Sequence, residues 1–332
     1  MTMRITMIGD GAMGTLCANM LAENGMQVRL WSAFPDAAEE MRRLGENRRF
    51  LPGVPLAKGV EITSRDDQAF EHAQLAVSAV PTQYIRGVWQ RLCAHVPPNL
   101  GICSVAKGIE VATLLRPTQV LADVLGGDRP LAALSGPSIA PEIARHLPAT
   151  VAAASEHEEF ARQVQEIITR PYFRVYTNSD VIGVEVAGAT KNVIAIAAGI
   201  LDGLGAGDNA KAALLTRGLV EISRLGVAMG AKPQTFAGLA GMGDLVTTCF
   251  SPIGRNRSFG EAVGKGQKVE DALSATNSVV EGVATTSGVV ELARRHQVEM
   301  PITQGVYDVL FNNMSPSQAI NELMARPLKS EE

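Results

Sequence analysis

A lysine stands inside a run that is otherwise apolar on every side. From residue 186 to 198 the chain reads VAGATKNVIAIAA, and a helix apolar around its whole circumference is a buried helix. Lys191, with Asn192 beside it, interrupts that run. A buried ammonium needs a partner or a changed pKa. The ordinary alternative is a surface lysine whose stem lies along apolar neighbours, but the flanking residues are too small and too apolar for a surface position. A lysine tuned by burial and by nearby cations serves as a general acid or base near neutral pH.

Other groups point to an anionic ligand. Lys107, in Ala106-Lys107-Gly108, follows an apolar run that reads as a strand, which places it at a strand's carboxyl end, where open α/β sheets bind ligands. Ser135-Gly136-Pro137-Ser138 also follows such a run; it presents amides and a hydroxyl to a ligand, or else is a plain strand-to-helix turn. In Gly254-Arg255-Asn256-Arg257, two guanidinium groups beside an amide form a fork suited to phosphate, with a solvated charge pair as the alternative. The five histidines lie in none of these segments, so lysine is the better proton carrier here.

Gly9-Asp10-Gly11-Ala12-Met13-Gly14 comes directly after the first strand-like run. In this spacing Gly9 permits a tight turn, Gly11 lets the backbone approach a pyrophosphate, and Gly14 lets the next helix pack on the sheet. The start of that helix offers amides and a positive dipole end to the same pyrophosphate. The acidic residue that grips the ribose 2′-hydroxyl of NAD is expected about 20 residues further on. The chain there reads Leu30-Trp31-Ser32-Ala33-Phe34, with no carboxylate before Asp36. Ser32, Arg48 and Arg49 are available to a 2′-phosphate, so the cofactor is NADP or NAD, with a lean to NADP.

These groups need elements to hold them. Strand-like runs at 4–9, 27–31, 60–63, 75–80, 100–104, 131–135, 150–153 and 173–176 alternate with helical patterns, including 15–24, 35–44 and 84–93. Alternation with strands apolar throughout predicts a parallel sheet covered on both faces. After about Asp180 the strand signals stop, and helices are expected at 181–204, 210–229, 282–296, 303–311 and 316–325. The expected fold is therefore α/β: a Rossmann-type dinucleotide-binding domain over 1–184, then an all-α domain over 185–332 carrying Lys191.

Composition fits that division. The chain has 332 residues, 46% hydrophobic and 19% charged, ample for a large core. A net charge of −4 argues against nucleic acid as a partner. The most apolar stretch, Val193–Leu201, is shorter than the roughly 20 residues a membrane span needs, so no membrane insertion is expected. The first residues have no signal-peptide pattern. Four scattered cysteines suggest neither a disulfide framework nor a zinc site, and the expected compartment is the cytoplasm.

Taken together the segments resemble the bacterial NAD(P)-dependent glycerol-3-phosphate dehydrogenase family. The matching stretches are 9–15, 50–53, 106–108, 135–138, 173–176, 191–195, 207–211, 216–218, 241–249, 254–256 and 280–282, in family order along nearly the whole chain. The resemblance implies hydride transfer between NAD(P)H and C2 of dihydroxyacetone phosphate, giving sn-glycerol 3-phosphate for glycerophospholipid synthesis. It implies Lys191 as proton donor, and a substrate site of Lys107, Gly136, Ser138, Asp244, Gly254, Arg255 and Asn256. Asp244 would orient Lys191 or a substrate hydroxyl, and Lys107 would depress the pKa of Lys191. It also implies cofactor contacts at Ala12, Met13, Ala33, Phe50, Lys107, Ala140, Arg255, Val279 and Glu281, and no metal. The expected partner is a small phosphorylated substrate, with homodimer formation open. A ketopantoate-type reductase is the rival enzyme, disfavoured by Lys107 and the Arg255-Asn256 element. A non-catalytic nucleotide sensor is the other rival, and it has no use for a buried base.

Three positions depart from the family pattern. Asp10 takes the place of a small neutral residue, so its charge must point away from the pyrophosphate. Ala12 stands for a usual serine and Met13 for a usual aromatic. Cofactor binding weaker than the family's is expected, with the catalytic step unaffected. Ala12→Ser should lower the cofactor dissociation constant measured by titration, and an unchanged constant contradicts that expectation.

Overall fold

Eight short runs pair into one sheet in the computed structural model, which describes residues 2–276, 279–328 and 330. They are β1 (Arg4–Ile8), β2 (Gln27–Trp31), β3 (Val60–Thr63), β4 (Leu75–Ser78), β5 (Gly101–Ser104), β6 (Leu131–Ser135), β7 (Ala149–Ser155) and β8 (Phe173–Asn178). The sheet order is β3-β2-β1-β4-β5-β6-β7-β8. Its first six strands have the order and direction of the doubly wound dinucleotide fold, with the crevice where the order reverses between β1 and β4. Along β1, Ile5 and Met7 pack into one face and Ile8 into the other, as a sheet covered on both sides requires.

The all-parallel expectation fails at one joint. β7 pairs with β6 antiparallel, Ser135 opposite Ala152, and β8 then follows β7 in parallel. A parallel return needs a crossover element long enough to span the sheet. Between β6 and β7 lies only one helical turn, Ala140–Ile143, so the chain turns back at the same edge. The helix Glu158–Ile168 does supply a full crossover, and β8 is accordingly parallel to β7.

The helix Val181–Leu204 is the centre of the second half; 20 of its 24 residues are buried. Asp180 caps it, accepting from Gly183 N at 2.9 Å, while its other oxygen accepts from Thr235 Oγ1 at 2.6 Å. The expected boundary at 184/185 thus lies in this helix's first turn. Its length and composition would suffice to cross a membrane, which corrects the expectation that no run is long enough; 89% of the qualifying window is buried inside the protein, so it is a core helix. The helix Arg255–Gly264 crosses it at backbone contact. A Cβ on Gly199 would meet Arg257 O at 2.0 Å, and one on Gly260 would meet Ile196 O at 2.1 Å. That closeness brings the Arg255 end of one helix to the Lys191 stretch of the other.

Inside this frame Glu185 is buried with Arg116, which ion-pairs with it, and accepts from Thr118 N at 2.8 Å and Thr118 Oγ1 at 2.7 Å. Burial raises its carboxyl above the ordinary range, against the pull of Arg116 and Thr118. This cluster ties the sheet half to the core helix.

Candidate active site

Three loops at the carboxyl edge of the sheet carry the candidate residues, and those after β5 and β6 meet the core helix. The loop after β1 is the glycine turn. Gly9 sits at φ +105° with Ala79 O only 2.8 Å from where a Cβ would be, so the turn needs glycine there. A Cβ on Gly14 would meet Gly9 O at 2.1 Å, so the helix Ala12–Glu23 starts hard against the turn. At Gly11 a Cβ would meet nothing within 4 Å. The open cradle at Gly11, facing amides at a helix start, fits the pyrophosphate of a dinucleotide.

The loops after β5 and β6 carry Lys107, Gly136 and Ser138. Lys107 Nζ donates to Gly136 O at 2.9 Å and Ser138 Oγ at 3.2 Å, and pairs with Asp244 Oδ2 at 2.6 Å. Lys191, only 6% exposed, pairs with the other oxygen, Asp244 Oδ1, at 2.8 Å and donates to Thr248 Oγ1 at 2.6 Å. One buried carboxylate therefore holds two ammonium groups, one on each oxygen. Asn192 Nδ2 donates to Lys107 O at 3.1 Å, fixing the loop against the helix that carries Lys191.

The charges respond to this crowding. Burial lowers the Lys107 amine to about 8; Asp244 opposes that shift and the Lys191 charge adds to it. Burial would raise Asp244, but Lys107 and then Lys191 hold it below the ordinary carboxylate range. Burial pushes the Cys249 thiol up to about 12 despite the nearby Lys191, so it remains a thiol.

Glu281, first residue of the helix Glu281–Arg295, links this cluster to the Arg255 element. Burial raises its carboxyl, while Arg255, the Thr82 amide, Lys191 and Lys107 pull it down. Gly254 caps the helix that opens with Arg255. Arg255 is exposed, and its Nη1 donates to Val279 O at 3.0 Å. Asn256 Oδ1 accepts from Gly282 N at 3.0 Å, and its Nδ2 has no hydrogen-bond partner among the described residues.

The expected two-guanidinium fork needs correction. Arg257 turns away to Asp202 Oδ2 at 2.6 Å, an oxygen that also takes Lys211 at 2.8 Å, so Arg255 alone remains for an anion. Arg257 lies two positions beyond Arg255, and neighbours at that spacing do not share a helix face.

The structure thus joins Lys107, Gly136, Ser138, Lys191 and Asp244 through hydrogen bonds and ion pairs, and sets Arg255, Asn256, Val279 and Glu281 beside them. Ala33, Phe50 and Ala140 share no hydrogen bond or ion pair with the lysine cluster among the described residues. Ala33 and Phe50 lie with Asp10 and Ser32 on the β2 side of the glycine turn, where Asp10 directs its carboxylate to Ser32. Met13 and Ala140 pack into the core on one face of the sheet. Sequence reasoning missed Thr248 and the role of Asn192. The signal for Thr248 was its spacing: four residues after Asp244, it shares that residue's helix face.

A profile of the NAD-dependent glycerol-3-phosphate dehydrogenase N-terminus matches residues 4–161, and one of the C-terminus of the same family matches residues 180–321. A curated relative from Geobacter sp. (strain M21), named as an NAD(P)+ glycerol-3-phosphate dehydrogenase, is 48% identical across 100% of this chain and 99% of its own. The crystal structure of glycerol-3-phosphate dehydrogenase from Coxiella burnetii superposes with a TM-score of 0.94 at 39% identity, covering 98% of this chain and 99% of that one. A PanE/ApbA family ketopantoate reductase from Ralstonia eutropha shares the fold alone, with a TM-score of 0.60 and 15% identity over 96% of this chain and 100% of that one.

Proposed function

This chain belongs to the NAD-dependent glycerol-3-phosphate dehydrogenase family, and we propose that Lys191 donates the proton to the C2 carbonyl oxygen of dihydroxyacetone phosphate. The reaction is the NAD(P)-dependent interconversion of dihydroxyacetone phosphate and sn-glycerol 3-phosphate. Lys107 and Arg255 receive the phosphate, Asp244 positions both lysines, and Gly9, Gly11, Ala12, Met13 and Gly14 hold the dinucleotide. When bound, the nicotinamide supplies the hydride to C2, or takes it in the reverse direction.

The observation that carries this reading is the unequal use of donors. An ammonium has three N–H donors. Lys107 has partners for all three, in Asp244, Gly136 and Ser138. Among the described residues Lys191 has partners for two, in Asp244 and Thr248. Its third donor is left for a substrate oxygen, and negative charge developing on that oxygen meets a cation already in place. Proton transfer from Nζ then completes the alcohol. Phosphate displaces the longest Lys107 contact, the one to Ser138. Lys107, Lys191 and Arg255 outnumber the carboxyls of Asp244 and Glu281, which suits an anionic substrate.

Two measurements follow from this arrangement. Dihydroxyacetone, the same carbonyl without the phosphate, should show kcat/KM lower by about a hundredfold or more, the loss typical of unpaired buried binding groups. Comparable values for the two ketones would remove the phosphate site from the account. The second is a pH profile. Lys107 carries its charge below about 8 and loses it above, so its attraction for phosphate is complete at lower pH and declines as pH rises. The kcat/KM for dihydroxyacetone phosphate, which reports groups of the free enzyme, should fall on the alkaline side of about 8. A profile flat to pH about 10, the ordinary lysine range, would show that Lys107 does not act through its charge.

A further inference from the structure

We propose that Asp10 makes this chain favour NAD(H) over NADP(H), by bringing a carboxylate to the adenosine end of the cofactor site from within the glycine turn. The proposal rests on the NAD(P) reading above and concerns a residue that departs from the family pattern.

In folds of this kind the end of the second strand meets the adenosine ribose. A carboxylate there bonds the 2′-hydroxyl of NAD, while an arginine accommodates the 2′-phosphate of NADP. In this chain β2 ends at Trp31 and continues through Ser32, Ala33 and Phe34, with no charge of either sign. The fold supplies the missing charge from next door. β1 lies parallel to β2 with Ile8 opposite Trp31, so the residues just beyond the two strand ends are neighbours. Ser32 Oγ donates to Asp10 Oδ2 at 2.9 Å, the shorter of its two acceptor contacts, the other being Phe34 O at 3.3 Å; Phe34 N in turn donates to Ser32 Oγ at 3.2 Å.

The backbone of Asp10 is fixed as well. Its carbonyl accepts from Asn47 Nδ2 at 2.6 Å, and Asn47 Nδ2 also reaches Thr15 Oγ1 at 2.8 Å. Asp10, 8% exposed, is thus held through its main-chain carbonyl and through Oδ2, with Oδ1 accepting no hydrogen bond among the described residues. Among the described residues no cation pairs with it. Arg48 lies against Glu46 at 3.4 Å, and the Arg49 guanidinium sits 4.9 Å from the centre of the Phe50 ring.

A 2′-hydroxyl can donate to Oδ1. A 2′-phosphate would bring further negative charge beside a mostly buried, unneutralised carboxylate, an arrangement that selects strongly against the wrong ligand. The carboxylate therefore discriminates at the ribose while leaving the pyrophosphate cradle at Gly11 open.

The test is direct titration of the full chain with NADH and with NADPH, followed by quenching of intrinsic fluorescence, with no substrate present. The wild-type dissociation constant for NADPH should exceed that for NADH by about tenfold or more. Asp10→Asn keeps an acceptor for Ser32 and removes the charge, and should bring the ratio close to one, mainly by tightening NADPH. Wild type that binds NADPH as tightly as NADH overturns the proposal without needing any variant. So does an unchanged ratio in a folded Asp10→Asn protein. Wild type that binds neither nucleotide overturns the NAD(P) reading itself, and this proposal with it.

Discussion

Lys191→Met should lower kcat for dihydroxyacetone phosphate by about a thousandfold or more, the upper part of the range for losing a positioned general acid. The side chain keeps its length and apolar stem and loses the only ammonium in the cluster with an unused donor. Asp244 retains Lys107 as partner at 2.6 Å, so the carboxylate is not left alone. Breaking a buried pair is costly when it leaves a charge uncompensated; here Lys107 still compensates Asp244, and the variant should fold. Cofactor affinity should stay near wild type, because the glycine turn follows β1 whereas the lysine is on the core helix. Steady-state kinetics at saturating ketone, with the cofactor dissociation constant measured alongside, separate these effects. A kcat within tenfold of wild type would mean that another group supplies the proton.

Asp244→Ala should cost both stability and rate, and leave a signature that a purely structural residue would not. Asp244 is 2% exposed and pairs with two ammonium groups. Removing one partner of a buried ion pair typically costs about 3–5 kcal/mol, because the remaining charge stays buried; here two remain. The rate effect comes from lost orientation, since Lys191 would keep only Thr248 as a fixed partner. A fall of about a hundredfold in kcat/KM is expected, in line with the cost of misplacing a reacting group. The distinguishing signature lies in pH. Asp244 opposes the lowering of Lys107, while burial and Lys191 drive it. Without the carboxylate the Lys107 amine falls further, so the alkaline decline of kcat/KM moves to lower pH. An unshifted profile in a folded variant would make Asp244 structural only.

The features legible in the sequence were those whose spacing is itself the chemistry. Gly9, Gly11 and Gly14 could be read because each glycine answers a steric demand of its own. Lys191 stood out because a charge in an apolar run is costly unless paired. What the chain alone did not reveal were relations across space. The direction of β7 depends on whether the segment after β6 can span the sheet, and a single turn at Ala140–Ile143 could not be foreseen from apolar runs. Arg255 and Arg257 look equivalent in the chain, yet Asp202 takes the second. The carboxylate sought after β2 comes from β1's turn, which depends on the register of two strands.

The most direct measurement is the loss of near-ultraviolet absorbance of reduced nicotinamide when dihydroxyacetone phosphate is added to the purified wild-type chain, with NADH and NADPH in parallel. The account predicts turnover that depends on the ketone phosphate, with sn-glycerol 3-phosphate as the product. Nucleotide binding without turnover on dihydroxyacetone phosphate would contradict it, because the Lys191 donor and the Lys107–Arg255 anion site would then serve some other substrate.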